Sequence, residues 1–200
     1  MPHEVKPLPF QGSLQGISDK TIAIHHDKLY AGYVAKKNEI TEKLIKLSHG
    51  EGDLSGANQS YSELRALKDG ETFTVNGIYL HEWYFEALGG NGTPSGDIVE
   101  ALAAQYGSLE NFLAYFSACG MAARGWVVLA WDTHDKALRT YTGDAHNQGG
   151  VWGALPILVL DVYEHAYFID YGSDRKAYIA DFWKNLDWNK VNALYQATQQ

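Results

Sequence analysis

The sequence has a single cysteine, Cys119, among 200 residues. That count rules out an internal disulfide and a cysteine-built metal site, and Cys119 reads as a buried, inert thiol. No run approaches the roughly 20 consecutive apolar residues that cross a bilayer. Residues 1–10 carry charge and three prolines, which does not suit a secretory leader. Basic residues are scarce, with 16 Lys and Arg against 24 Asp and Glu, a net charge of −8 and a pI near 5.4. An acidic chain argues against nucleic acid, whose binders are basic on at least one face. It also repels anionic substrates unless a local positive patch overrides the overall field. The expectation is a soluble, cytoplasmic protein with neither nucleic acid nor membrane as partner. What the chain does have is 46% apolar residues, eight histidines, six tryptophans and thirteen tyrosines. That is enough for one real interior, as a single domain or two small layers sharing a core.

Residues 1–18, with Pro7, Pro9, Gly12 and Gly16, read as an extended arm. Ser18 is the expected N-cap of a first long helix that runs to Leu47. Ile22, His25, His26, Leu29, Tyr33, Ile40, Leu44 and Leu47 fall within an arc of roughly 100° on that helix. Lys36 sits at the edge of the arc, which ordinary helical spacing does not explain. Residues 48–58 read as a loop. A second helical stretch follows, with an expected break around Lys68-Asp69-Gly70, and runs to Leu88, where Gly89-Gly90-Asn91-Gly92 stops it. The second half begins with short helices over Asp97–Tyr106 and Ser108–Cys119. The β-branched and aromatic segments 126–131 and 137–142 predict a hairpin. Residues 155–161 predict a buried strand ending in a carboxylate, and helices over about 164–171 and 174–197 finish the chain. The fold class is therefore α+β: an N-terminal antiparallel helical hairpin, residues 1–90, then a C-terminal α/β layer with a small antiparallel sheet, residues 91–200.

Four residues suggest chemistry. Asp161 and His165 are four apart and can meet on one helical face or across a strand-to-helix corner. Their flanks are apolar, and a charged aspartate there costs several kcal/mol unless it is paired or metal-bound. A structural hydrogen bond between the two is the plainer reading. Adjacent helical residues point about 100° apart, so only one of His25 and His26 can aim at a given point. His81 precedes Glu82, but no second histidine completes a metalloprotease motif. Each of these histidines taken alone suits a satisfied core residue. Together, three imidazoles and one carboxylate suit a first-row ion such as iron or manganese.

The segment Asp161–Phe168, DVYEHAYF, resembles the D-x-W-E-H-A-Y-Y signature of the iron/manganese superoxide dismutase family. HHDKLYAGYV at 25–34 is similar to that family's H-H-x-K-H-H-x-x-Y-V. NGIYLHEWYF at 76–85 resembles its second-helix ligand segment, and GWVVL at 125–129 its G-W-x-x-L strand. The four segments occur in the family's order and cover nearly the whole chain. The resemblance implies one iron or manganese ion per subunit, held by His25, His81, Asp161 and His165 between the two halves, and superoxide anion as substrate. It makes Tyr33 the tyrosine of the substrate funnel, Trp126 part of an apolar cage and Arg175 a positive charge near the funnel mouth. Glu164 would reach across a homodimer interface to the partner's His165; the subunits would form that dimer or a tetramer built from it. The outer-shell partner of metal-bound solvent, often glutamine in the family, would here be His146, with Gln148 as the rival if the loop register shifts. The other family position for that glutamine is Gly77, which has no side chain to offer.

Several positions depart from the family pattern. Tyr163, Phe85 and Val128 stand where tryptophans are common. Leu29 and Phe168 replace a histidine and a tyrosine that hydrogen-bond across the family's dimer interface. Losing one partner of such a pair would strand a buried polar group at roughly 1–3 kcal/mol. With both apolar, the bridge becomes a Leu29–Phe168 hydrophobic contact. Three other readings of the chain stand beside the dismutase. A non-haem iron oxygenase would use two histidines and one carboxylate, one protein ligand fewer. A metal-assisted hydrolase would need a general base, for which Glu82 and Glu164 are the nearby carboxylates. A catalytically inactive scaffold with a binding role would have no need of all four ligands.

Overall fold

The computed structural model describes residues 2–199. Residues 2–17 lie extended along the surface as the sequence predicts, and an asparagine amide fastens the arm near each end. Asn38 accepts from the His3 amide and donates to its carbonyl, and Asn185 does the same for Gln15. Ser18 caps α1 (Asp19–Ile24), its hydroxyl accepting from the Thr21 amide at 3.2 Å. A Ser cap of this kind contributes about 1 kcal/mol.

The first helical rod departs from the predicted regular helix. Between α1 and α2 (Ala31–Ser48) lies a π turn, His25–Tyr30, closed by the Ala31 amide reaching back five residues to the His26 carbonyl. The wider turn holds one extra residue. It brings Tyr30 onto the inward face beside His25 and His26, and leaves Leu29 only half-buried. After the turn the buried positions are Val34 and Ile40, and Lys36 points to solvent. The awkward place of Lys36 on the sequence arc is thus a phase error, removed by the π turn.

Ser62 caps α3 (Glu63–Glu86), which lies alongside α2. The expected break at Gly70 is absent, and α3 runs straight through it. Gly70 serves packing here: a Cβ at that position would sit 3.1 Å from the end of the Ile40 side chain on α2. Tertiary contact thus overrides a weak local preference. α3 ends at Glu86, two residues before the expected Leu88, and the chain then turns through the glycine run that holds Gly90. Gly90 passes so close to the 186–187 backbone that a Cβ would meet the Leu186 carbonyl at 2.3 Å.

α4 (Asp97–Tyr106) and α5 (Leu109–Ala122) lead into a three-stranded antiparallel sheet in the order β2 (Ala137–Gly143), β1 (Trp126–Asp132), β3 (Ala154–Asp161). The register sets Trp126 opposite both Gly143 and Asp161. One end of the sheet therefore gathers Trp126, Asp161 and the loop after β2. β3 tolerates Pro156 because it is an edge strand, and its pairing with β1 shifts register between Leu129 and Ala130.

Two predicted helices are shorter than expected. Residues 164–171 form a single 3₁₀ turn (Glu164–Ala166) and the four-residue α6 (Phe168–Tyr171). The final helix is split into α7 (Arg175–Lys184) and α8 (Trp188–Ala197). At the split the Asn185 amide donates back to the Asp181 carbonyl and to Gln15, and the Asp187 carboxylate starts α8 by accepting from the Asn189 and Lys190 amides. The core between sheet and helices is built on Leu102, Phe112, Phe116, Leu160, Phe182 and Trp188, all buried. Each such side chain contributes roughly 1.5–3 kcal/mol by leaving water. Among the described residues no helix is long and apolar enough to cross a membrane.

Candidate metal centre

Four elements converge on one buried point. His25 comes from the π turn, His81 from the last turns of α3, Asp161 from the end of β3 and His165 from the 3₁₀ turn that follows it. Their ligand atoms all lie within 4.8 Å of one another. Asp161 Oδ2 is the hub, 3.1 Å from His25 Nε2, 3.0 Å from His165 Nε2 and 3.6 Å from His81 Nε2. Asp161 Oδ1 accepts from the Tyr163 amide at 2.9 Å, which aims the carboxylate. His25, His81 and Asp161 are fully buried, whereas the His165 side chain keeps 23% of its surface exposed. Among these four residues it is therefore His165 that keeps an edge toward solvent.

The donor chemistry fits a cation. His81 Nδ1–H donates to the Gly77 carbonyl, so Nε2 carries a lone pair. That lone pair faces the Asp161 carboxylate, and buried His81 Nε2 has no hydrogen-bond partner. His25 Nδ1 is orphaned as well. A lone pair turned toward a carboxylate in a dry interior is repulsive unless a positive ion lies between them. Three imidazole nitrogens and one carboxylate oxygen suit iron or manganese.

The electrostatics agree. Burial chiefly, with the neighbouring histidines, disfavours the imidazolium forms of His25 and His81 and lowers both pKa values against the pull of Asp161. Burial opposes the Asp161 charge, but His165 and His25 outweigh it and hold the carboxyl far below its usual range. His165 moves up: its burial is outweighed by the charge and hydrogen bond of Asp161. The site thus keeps a carboxylate beside two imidazoles, His25 and His81, that burial holds neutral, while the third, His165, gains its proton affinity from that same carboxylate.

Of the adjacent pair, His25 enters the cluster and His26 turns away. His26 Nε2–H donates to the Lys6 carbonyl at 2.8 Å, and its Nδ1 faces Asp27. Tyr33 stands beside the cluster with its ring centre 5.4 Å from His81 and 4.7 Å from His146. Burial chiefly raises the Tyr33 phenol pKa, and the Asp161 charge adds to that. His146 is buried against Tyr33 and Trp126, while Gln148 stands exposed two residues on. Trp126 Nε1–H donates to His146 Nδ1 at 2.9 Å, which places the remaining proton of a neutral His146 on Nε2. Burial lowers the His146 pKa to about 4, so the neutral ring is the stable form. Gly77 makes room for that ring. A Cβ there would press to 3.2 Å from Tyr33 and 3.3 Å from His146.

The cage is aromatic. Trp126 lies edge-on to His81, Phe85 packs on His25, and Tyr163 stacks on His165 at 5.3 Å. Gly125 permits that stack, because a Cβ there would meet the Tyr163 ring at 2.8 Å. Glu164 is exposed, outside the cluster. Arg175 is half-buried, and its guanidinium donates to the Ala123 and Gly120 carbonyls at the end of α5 and to the Tyr167 hydroxyl. Val128 lines a groove between sheet and α3. Leu29 is half-buried and Phe168 is 54% exposed. The sequence reading missed Tyr178, whose hydroxyl donates to the Asp161 carbonyl at 2.7 Å and meets the Tyr84 hydroxyl at 3.1 Å. Nothing but apolar spacing marks either tyrosine in the sequence, and that spacing reads as core.

The family model for iron/manganese superoxide dismutases, C-terminal domain, matches residues 94–194. The chain is 42% identical to a superoxide dismutase [Fe] of Aquifex pyrophilus, over 92% of this chain and 86% of that one. It is 42% identical to the superoxide dismutase [Fe] of Aquifex aeolicus, over 97% and 92%. It is 35% identical to superoxide dismutase [Mn] 1 of Halobacterium salinarum, over 97% and 95%. With such likeness along nearly its whole length, and a buried three-histidine, one-aspartate cluster at its centre, the chain belongs to the iron/manganese superoxide dismutase family.

Proposed function

We propose that this chain disproportionates superoxide at one iron or manganese ion held by His25, His81, Asp161 and His165. The single observation that carries this reading is the orphaned, fully buried His81 Nε2 turned toward the Asp161 carboxylate. One superoxide is oxidised to dioxygen; a second is reduced and takes two protons to leave as hydrogen peroxide. The ion, when bound, supplies the one-electron redox step. The chain supplies the rest. His146 offers its Nε2–H as a fixed donor, oriented by Trp126, to a small oxygen species in the cage. Tyr33 stands next to it as the funnel residue. The cage of Trp126, Phe85 and Tyr163 keeps bulk water out of the centre. Arg175 adds positive charge on the approach, against the overall charge of −8.

The same reading extends to organisation. Residues 1–90 and 91–200 are two units with the metal between them, a division that the start of the matched family segment at residue 94 supports. Exposed Glu164 and partly exposed His165 suit a homodimer interface, or a tetramer built from it, with Leu29 and Phe168 packing across it. The protein works in the cytoplasm, apart from nucleic acid and membranes. Relatives named for iron and for manganese share similar identity with the chain, so both ions belong in the test. Superoxide turnover is measured per bound ion on protein loaded with each metal in turn. High turnover with either supports the reading, and full occupancy without turnover for both overturns it.

A further inference from the structure

Behind the metal centre lies a second polar cluster that the dismutase reaction does not use. Glu82 follows the ligand His81 on α3, and its side chain is largely buried. It accepts from three groups: His3 Nε2–H at 2.7 Å, the Lys6 ammonium, and the Tyr30 hydroxyl at 2.9 Å. The Tyr30 hydroxyl in turn accepts from the Lys6 amide at 3.0 Å, and the Lys6 carbonyl accepts from His26. Three segments distant in sequence therefore meet at one carboxylate: the arm, the π turn that carries His25, and the helix that carries His81. The Tyr30 ring also packs edge-on against Phe85, which itself touches His25.

Granted the four-ligand metal reading, we infer that the N-terminal arm is a positioning strap. Glu82 and Tyr30 are positioning residues that fix the spacing of His25 and His81. The π turn interrupts the regular ladder of the first rod, its Ala31 amide reaching five residues back instead of four. Among the described residues the Tyr30–Glu82 bond is the direct polar tie between its inward face and α3, and the other tie, from His26 to Glu82, runs through Lys6 of the arm. The arm adds the Lys6 and His3 bonds and covers the cluster from solvent. The strap thus acts on metal retention and ligand geometry, not on the substrate.

The test uses the full chain loaded with manganese. Tyr30→Phe removes only the hydroxyl, and Lys6→Ala alters only the exposed arm, so neither threatens the fold. Both variants are expected to lose manganese to a chelator about tenfold faster than wild type, within the range found for outer-shell partners of metal ligands. The visible absorption of the oxidised manganese protein is expected to shift in Tyr30→Phe. Glu82→Gln, which keeps an acceptor for Tyr30, is expected to retain the ion better than Glu82→Ala. Wild-type loss rates and spectra in both Tyr30→Phe and Lys6→Ala would overturn the strap, even if their melting temperatures fall, since a merely structural clamp would show only that. A wild-type chain that takes up no ion at this cluster would sink the metal reading and the strap together.

Discussion

The two halves of the molecule deliver their ligands in different ways. The N-terminal half supplies His25 and His81 from helices, both fully buried. The C-terminal half supplies Asp161 from a strand end and His165 from a single 3₁₀ turn, and it also brings His146 and the tryptophan that orients it. The helical half gives neutral donors in fixed positions. The sheet half gives the carboxylate, the Trp126–His146 pair and, among the four clustered residues, the one with an exposed side-chain edge, His165. Helices on one side and a strand end with a single turn on the other thus bring together the four residues that could hold an ion. Even the helical half needs one irregularity, the π turn, to aim its first histidine.

Substitutions in each half test that contrast. Asp161→Asn removes the only carboxylate and is expected to have the largest effect: more than about 100-fold weaker metal retention, beyond the usual outer-shell range, with turnover lost in step. Metal content after dialysis and turnover per chain check it; retention near wild type would break the division of roles. Phe112→Ala, in the core behind the sheet, is expected to cost about 3–5 kcal/mol in denaturant unfolding while leaving the ligand set in place. His146→Ala should lower turnover about 10- to 100-fold with the ion still bound. A larger fall in metal content than in turnover per ion would instead make His146 a structural residue.

A weaker link joins the halves at Asp170. Burial alone would raise its carboxyl pKa, but the Ser18 amide and Thr21 hydroxyl outweigh this and hold it below the usual value. A carboxyl depressed in the folded state stabilises fully above its unfolded pKa, near 3.8, and that stabilisation is lost as pH falls through the lower folded value. Asp170→Asn is therefore expected to flatten the loss of urea resistance as pH falls below about 4, and an unchanged slope would assign that loss to other carboxylates. The smallest effect belongs to Gly70→Ala. A helix gain of about 0.5–1 kcal/mol is set against a contact with Ile40 at 3.1 Å. Unfolding stability should stay within about 0.5 kcal/mol of wild type.

Much of this was legible in the sequence, for identifiable reasons. The ligand quartet stood out because charged or imidazole groups were set in apolar runs, and burial makes such groups costly unless they share a partner. The strands and the Ser18 cap follow local rules that the structure keeps, and α3 ends two residues before the predicted glycine stop. The failures are where tertiary contact overrode a local rule. Gly70 was read as a break but lies where two helices press together. The last helix was read as continuous, yet Asn185 turns aside to hold Gln15, a bond across 170 positions that no local pattern encodes. Lys36 was the one visible trace of the π turn, as a misfit in the helical phase. The Tyr178–Tyr84 pair left no trace, since buried tyrosines at helical spacing look like phenylalanines.

The π turn also bears on how the chain tolerates changes in length. A helix with one surplus residue is what a single-residue insertion leaves behind when both flanking faces must stay in register with their neighbours. Removing one residue between His25 and Tyr30 would let the rod relax to an ordinary helix and turn everything upstream of it by about 100°. The Ser18 amide would then lose Asp170 and the arm its asparagine fastenings, while α2 and α3 kept their partners. The two ends of one rod thus record separate histories of fit, joined where the first metal ligand sits.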